Sequence, residues 1–170
     1  MTSPKLTKRK KSTGLFLILF LLLSFSACDK DEVYYRYHDI KNMEWSKLDT
    51  LYFDIDSAVI DTETDYHMSI QVSHTFDYPY RNIWFYMHEN ITDTLYTAHG
   101  KQFMLADEFG NWYGSGFGSL YQYGLEYFDS VRFKEKRNYR IKLVHGMRDE
   151  PLDGIEKVGI KIIKKQKQDN

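Results

Sequence analysis

The sequence predicts an all-β fold, a single antiparallel β-sandwich of the jelly-roll type. Apolar and polar residues alternate with a period of two along several segments, as they do in strands that bury one face. Turn-forming residues separate these segments, and no long segment has the apolar spacing of an amphipathic helix. Many short strands without intervening helices are typical of antiparallel sandwiches. We therefore expect residues 33–164 to form one β-sandwich domain, followed by a polar tail at residues 165–170.

The strand pattern begins at Val33 and continues along the chain. The clearest alternation runs from Tyr66 to Ser73, and similar alternation surrounds Ile141 and Ile160. Less regular strand candidates begin at Thr50, Asn82, Asp93, Lys101, Leu120 and Ser130. Turns are predicted around Pro79, Gly100, Gly110 and Gly154. Because polar residues fill the alternate positions, each sheet is expected to have one wet face.

Residues 1–27 have the pattern of a bacterial lipoprotein signal peptide. Five Lys and Arg residues precede an apolar segment from Leu15 to Leu23. That segment is too short to span a bilayer, which takes ~20 apolar residues. Ser26 and Ala27 stand directly before Cys28, the only cysteine of the chain. The pattern predicts that the leader is removed and that Cys28 becomes an acylated N-terminus anchored in a membrane; an uncleaved anchor and a secreted protein are the alternatives.

A charged tether is predicted at residues 28–32. Lys30, Asp31 and Glu32 follow the cysteine closely, and such charged residues do not bury themselves. This run resembles the short signal of a lysine and acids that sends lipoproteins of Bacteroidetes to the outside of the outer membrane. The resemblance implies an outer-membrane lipoprotein exposed at the cell surface. A flexible spacer is the alternative interpretation.

The composition excludes several functional classes. Without the leader the chain would have 143 residues, with 18 basic and 24 acidic side chains. Nucleic-acid binding needs a dense basic surface, so no nucleic-acid partner is expected. If Cys28 is acylated, no thiol is left for a disulfide, a nucleophile or a metal ligand. All 14 tyrosines lie after the leader, and they supply the area for an aromatic core.

No residue pattern predicts a catalytic site, a cofactor or a metal. The glycine-rich segment from Gly114 to Ser119 lacks the spacing of a phosphate-binding loop and is expected to be a backbone device. The six histidines show no close ligand spacing. Asp54, Asp56 and Asp61 could bind calcium, but a solvated strand edge and turn explain them more simply. We therefore expect a protein that is not an enzyme.

Three motifs carry a resemblance to a known family. They are YPYRNIWF at residues 78–85, GNWYGSGFG at residues 110–118 and MRDEPLDGIEKVGI at residues 147–160, in that order behind a lipoprotein signal. Together they resemble the gliding motility lipoproteins called GldH, found in Bacteroidetes, over nearly the whole chain. The resemblance implies an accessory protein of the cell envelope whose partners are the membrane and other envelope proteins of the gliding and secretion apparatus. It implies no catalytic residues.

Two functional hypotheses follow. An interaction protein should expose a contiguous apolar and aromatic patch, whereas a carbohydrate-binding sandwich should present flat aromatic rings beside polar side chains. Tyr80, Trp112 and Arg148 are the predicted interaction residues. Arg148 has two possible roles. Its guanidinium can staple the loop around Pro151 through neighbouring carboxylates, or it can contact a partner.

Overall fold

The computed structural model describes residues 31–91 and 95–166, which are built almost entirely of β-strands. The helical elements among them are two 3-10 turns, Lys41–Met43 and Ser57–Val59. The strands are β1 (Glu32–Asp39), β2 (Glu44–Trp45), β3 (Leu51–Ile55), β4 (Tyr66–Thr75), β5 (Asn82–Glu89), β6 (Thr97–Met104), β7 (Ser115–Phe117), β8 (Leu120–Val131), β9 (Tyr139–His145), β10 (Leu152–Asp153) and β11 (Ile155–Lys164). Among these residues no helix has the length and apolar character that crossing a membrane requires.

Two antiparallel sheets face each other across the core. One has five strands in the order β1-β11-β4-β8-β7, and the other has four in the order β3-β9-β5-β6. A separate ribbon pairs β2 with β10. Apart from the short β7, these orders are the two four-stranded sheets of a jelly roll. The predicted all-β sandwich is therefore confirmed.

The core lies between the sheets and takes alternate residues from each strand. In β4, Met68, Ile70 and Val72 are fully buried. Burying an apolar side chain of this size contributes about 1.5–3 kcal/mol to stability. The largest fully buried side chains include Trp45, Tyr66, Phe53, Phe85 and Phe133. The period-two pattern thus marks the side chains that face the core.

The outer face of the five-stranded sheet is less wet than the alternation predicts. Ser69 and Ser73 of β4 point to this face, yet they are only 7% and 3% exposed. Tyr35 and Tyr37 of β1 lie on the same face, and their hydroxyls accept hydrogen bonds from Gln122 of β8. Two strands, β11 and β4, separate β1 from β8. The tyrosines therefore reach across the sheet and cover the small polar residues of the central strand.

The turn predicted at Gly100 is wrong. Gly100 lies inside β6, which joins two segments that the sequence predicts as separate strands. A Cβ at this position would lie 2.9 Å from Cε1 of Tyr86 and 3.1 Å from Nε1 of Trp84. Glycine is needed because aromatic rings from the adjacent β5 occupy the space of a side chain. β8 is likewise continuous from Leu120 through Ser130.

The sandwich has two ends. Glu32, the first residue of β1, lies level with Ile163 and with His67 near the beginning of β4, and we call this the proximal end. The opposite end, where β4 finishes at Thr75, is the distal end. It collects residues 40–50, 76–81, 105–114, 117–120 and 146–154. Because β4 has ten residues, the two ends lie about 30 Å apart.

Candidate functional site

The distal loops are joined to one another through their backbones. The amide of Phe76 donates to the carbonyl of Ser119 at 2.9 Å. The amide of Thr75 donates to Gly154 at 2.8 Å, and the amide of Gly154 donates to Met43 at 2.9 Å. The amide of Leu105 donates to the carbonyl of Arg81 at 2.8 Å. Together these bonds connect all five distal segments, so the loops form a continuous surface.

Three phenylalanines are exposed at the distal end. Phe76, Phe109 and Phe117 are 61%, 82% and 93% exposed. Phe76 and Phe109 lie in two different loops, and Phe117 is the last residue of β7, at the β7–β8 turn. A single exposed apolar side chain is ordinary on a protein surface. Three on connected loops are a feature of surfaces that bind another molecule.

A half-buried aromatic cluster supports these loops. The ring of Trp112 packs against His74 at 4.5 Å, Tyr121 at 6.1 Å and Tyr78 at 6.3 Å between ring centroids. Tyr78 in turn packs edge-on against Tyr80 at 5.9 Å. Two of the predicted interaction residues, Tyr80 and Trp112, are therefore brought into one cluster that no local spacing indicates.

Hydrogen bonds hold the two tyrosines of this cluster in place. The hydroxyl of Tyr78 donates to the carbonyl of Asn82 at 3.1 Å, and burial raises the pKa of Tyr78. The hydroxyl of Tyr80 donates to the carboxylate of Asp149, and this bond raises the pKa of Tyr80. The second bond joins the loop at residues 76–81 to the loop at residues 146–154.

The loop that carries Phe109 is built around Asp107. Its carboxylate accepts hydrogen bonds from the side-chain amide of Asn111 at 2.8 Å and from the backbone amides of Phe109 and Asn111 at 2.9 and 2.8 Å. These bonds, with those from Asn111 the strongest, lower the pKa of Asp107. Gly110 completes the turn with φ +85°, where a side chain would be strained. Phe109 is thus displayed on an ordered turn.

The glycine-rich segment forms the β7–β8 hairpin that carries Phe117. Gly114 has φ +83°, and a Cβ there would lie 2.1 Å from the carbonyl oxygen of Gln122. Gly118 has φ +63° at the turn after Phe117. The prediction of a backbone device is confirmed, since these positions require glycine to let the hairpin close.

Glu150, not Arg148, staples the loop at residues 146–154. One carboxylate oxygen of Glu150 accepts from Ser46 Oγ at 2.6 Å, and the other accepts from the amide of Lys47 at 2.9 Å. These bonds lower the pKa of Glu150. The Arg148 side chain is exposed and has no hydrogen bond or ion pair to any residue that the structure describes. The predicted staple is therefore wrong in its residue, and the guanidinium of Arg148 faces solvent.

An acidic depression lies beside Phe76, between residues 40–50, 75–79 and 153–154. This open cavity of about 430 Å³ is lined by Glu44, Asp77, Asp153 and Pro79, with Met43 at its side. A surface that pairs apolar side chains with carboxylates fits a partner that offers apolar pockets next to basic groups.

A second aromatic surface covers the outer face of the four-stranded sheet. Trp84 and Tyr86 lie between Gly100 on one side and Gly146 on the other, where a Cβ would be 2.4 Å from Cδ1 of Trp84. Tyr86 is 46% exposed. Because the two glycines have no side chains, the rings of Trp84 and Tyr86 extend over the backbone on both sides.

The carboxylates considered for calcium bind separate partners. Asp54 pairs with Arg140, with atoms 2.6 and 2.9 Å apart, and these bonds lower the pKa of Asp54. Asp56 accepts from the amide of Ala58, and Asp61 accepts from Glu63 and Thr64 in its own turn. The three carboxylates therefore do not converge on a shared ion.

Among the described residues, one group has ligand atoms close enough to hold a metal ion. It comprises His67, Glu126 and Asp129 on the outer face near the proximal end. The ammonium of Lys165 lies 3.1 Å from Asp129, so a cationic side chain already neutralises this carboxylate.

The structure describes only part of the predicted tether and sorting signal. Cys28 and Lys30 lie outside the described residues. The carbonyl of Asp31 accepts from the amide of Lys164 at 2.8 Å, and Glu32 is the first residue of β1, 3.2 Å from Lys161 Nζ. Asp31 and Glu32 are thus held by the sandwich, and their sorting role stays a prediction.

The exposed phenylalanines were missed at the level of sequence. Each stands in or beside a turn signal: Phe76 before DYPY, Phe109 in DEFGN and Phe117 between two glycines. An apolar aromatic residue in or beside a turn is not explained by the alternation of a buried strand, and this was the signal that the sequence offered.

Comparison with known proteins identifies the family. The family model described as "GldH lipoprotein" matches residues 32–162. "Gliding motility lipoprotein GldH homolog" of Christiangramia forsetii is 30% identical, covering 95% of this chain and 99% of the relative. "Gliding motility lipoprotein GldH" of Flavobacterium johnsoniae is 27% identical, covering 92% and 99%. No solved structure matches. The chain therefore belongs to the GldH lipoprotein family.

Proposed function

We propose that this lipoprotein is a non-enzymatic accessory component of the gliding motility machinery that binds another envelope protein with its distal end. The observation that carries the proposal is the exposure of Phe76, Phe109 and Phe117 on connected loops. Aromatic side chains that fill pockets of a partner supply much of the binding energy at protein interfaces. The half-buried cluster beneath them supports this role, because side chains that are ordered before binding lose less entropy.

The position of Glu32, the first residue of β1, supports the use of this end. Cys28 precedes Asp31 by three residues, which span at most about 10 Å. A lipid at Cys28 would hold the proximal end close to the membrane. The distal end would then face away from the bilayer, where it can meet a partner.

The charges at the distal end indicate the chemistry of that partner. Glu44, Asp77 and Asp153 line the acidic depression, while the exposed Arg148 lies near Tyr80. We infer a protein surface with apolar pockets flanked by Lys or Arg side chains. Charges at the rim of such an interface steer association more than they add affinity.

We place the protein in the outer membrane, exposed at the cell surface, on the strength of the run Lys30, Asp31 and Glu32. Replacing these residues by alanine should remove the protein from protease-accessible surface material and leave it lipidated. Unchanged accessibility would contradict this placement and favour the spacer. The variant Cys28→Ser tests the anchor itself and should no longer incorporate labelled fatty acid. Labelling that persists in this variant would contradict an anchor at Cys28.

The docking site is tested by the triple variant Phe76→Ser, Phe109→Ser, Phe117→Ser. In living cells it should lose a cross-linked adduct with an envelope protein and impair gliding, with unchanged abundance and lipidation. The matched control is Tyr52→Ser, Leu95→Ser, Tyr96→Ser, which removes exposed apolar side chains away from the distal end. If the control fails as badly as the distal variant, or if the distal variant keeps its adduct and glides, the docking site is refuted.

Carbohydrate binding is the second candidate function, favoured by Trp84 and Tyr86 lying between Gly100 and Gly146. Rings that lie over glycine present a face on which a sugar ring can stack. Quenching of tryptophan fluorescence by envelope polysaccharide, lost in Trp84→Ala, would support this function. No quenching with any glycan of the producing cell would exclude it.

A further inference from the structure

Two buried histidines lie beneath the distal loops. His74 and His145 are 0% and 1% exposed, and three of their four ring nitrogens have no hydrogen-bond partner among the described residues. The fourth, Nδ1 of His74, donates to the carbonyl of Thr75 at 2.8 Å. A protonated imidazole carries a charge and two donors, which are costly to bury without acceptors. The closed distal end therefore needs both rings to be neutral.

His145 lies beside the clamp that fastens two distal segments. Its ring packs on Trp45 at 5.1 Å, and its Nε2 lies 3.9 Å from the carboxylate of Glu150. That carboxylate is the group that binds Ser46 and the amide of Lys47. If His145 gains a proton, either the charged ring leaves its site or Glu150 turns toward it. Both responses weaken the clamp between residues 44–48 and the loop at residues 146–154.

The groups that face His145 include one anion and one cation. Burial opposes the protonated ring most strongly, and Lys47 opposes it as well, whereas Glu150 and the backbone of Trp45 favour it, so the pKa of His145 is lowered overall. Phe85 of the neighbouring β5 and Trp45 are uncharged. The balance keeps the imidazole neutral while the loops are closed.

His74 supports the other half of the distal end. Trp112, Tyr78 and Tyr121 surround its ring at centroid distances of 4.5, 5.6 and 5.9 Å. Ile155 is its neighbour on β11, and no ion pair to His74 is found among the described residues. Burial lowers the pKa of His74. A charge here would lie under the aromatic cluster that supports the loop of Phe109.

We propose that the distal end is a pH-sensitive device: it is closed at neutral pH, and its loops open more often as the pH falls below about 6.5, because His74 and His145 bind protons in the open form. Its effect on docking rests on the proposed function, because the loops that open carry the docking residues. The opening itself is a property of the isolated protein and is measured without a partner.

The direction of the effect follows from proton linkage. An opened loop exposes its histidine, which then titrates near pH 6.5, while the closed form resists protonation. The stability of the closed form is therefore complete above pH 6.5 and is lost as the pH falls below it. Between pH 7.5 and 5.5 the opening equilibrium should rise about tenfold for each histidine released.

Hydrogen exchange of the full-length lipoprotein in detergent tests the device. After correction for intrinsic exchange rates, protection of residues 146–154 and 105–114 should fall about tenfold between pH 7.5 and 5.5. His145→Gln should abolish the pH dependence in the first segment, and His74→Gln should abolish it in the second. His99→Gln, at an exposed histidine of β6, should keep the wild-type ratio. Comparing two pH values within each variant cancels any change in its overall stability.

Two results would overturn the device. One is equal corrected protection at both pH values in the wild type; the other is a full tenfold change that survives in the glutamine variants. Should a variant fail to fold, ring-carbon NMR of the wild type replaces it. Two histidines should titrate below pH 6.5, and titration of all six near pH 6.5 would refute the proposal. None of these results depends on whether a docking partner exists.

Discussion

The two outer faces of the sandwich both place aromatic rings over glycine, but only one of them leaves the rings available. On the five-stranded sheet, Tyr35 and Tyr37 join their hydroxyls at 2.6 Å. The ammonium groups of Lys161 and Lys157 lie over the two rings at 5.3 and 5.4 Å. On the four-stranded sheet, Tyr86 is 46% exposed, and Trp84 has a buried Nε1 without a partner among the described residues.

An aromatic ring that lies over a glycine can therefore either complete the surface of the sheet or remain accessible to a ligand. A tyrosine whose hydroxyl and ring both have partners completes the structure of the sheet. A ring that merely lies over glycine has one face free for a ligand. The distinction predicts different costs for equivalent substitutions on the two faces.

The largest effect is expected for Gly159→Ala on the five-stranded side. A Cβ there would lie 2.6 Å from the carbonyl oxygen of Arg36 and 2.6 Å from Cδ1 of Tyr37. Because one obstacle is the backbone of β1, the strands themselves must move. The free energy of unfolding in urea should fall by about 3 kcal/mol. A loss of stability smaller than that caused by Gly146→Ala would contradict the distinction between the two faces.

Gly146→Ala on the four-stranded side should cost about 1 kcal/mol. The atoms in the way belong to the side chains of Trp84 and Tyr86, at 2.4 and 2.8 Å, and these rings can lift into solvent. The shift should appear as red-shifted tryptophan emission at nearly native stability. Unchanged emission together with a large loss of stability would mean that this face is as closed as the other.

The smallest effects are expected from removing hydroxyls. Tyr37→Phe deletes bonds to Tyr35 and to Gln122, each 2.6 Å long, and should lower the free energy of unfolding by about 1 kcal/mol. Tyr86→Phe should change it by less than about 0.5 kcal/mol, as is usual for exposed positions. Thermal denaturation of the pair compares the faces directly, and equal losses would contradict the distinction.

The strands of this protein could be read from its sequence, because alternation with a period of two is a local property. Met68, Ile70 and Val72 fill the core as their spacing predicts. Gly114 could be assigned to a backbone device, since its segment lacks phosphate-loop spacing. The motifs that resemble GldH lipoproteins indicated the family before any contact was known.

The candidate site could be predicted only in part. Tyr80 and Trp112 do lie in one cluster, but the sequence offered no reason for Trp112 to meet His74, which lies 38 positions earlier. A loop staple was one of the two roles expected for Arg148, whereas Glu150 takes that role through residues about a hundred positions away. Which residues become such partners depends on which loops lie at the same end of the sandwich.

The amino-acid sequence by itself determined the all-β class, most strand positions, the lipoprotein-type leader and the family. Only the tertiary structure decided that Phe76, Phe109 and Phe117 share one exposed end, and that His74 and His145 are buried beneath it. The physical reason is that alternation fixes which face of a strand is apolar, but not which strands become neighbours. In a jelly roll, consecutive strands cross between sheets, so loops far apart in the chain meet at the same end.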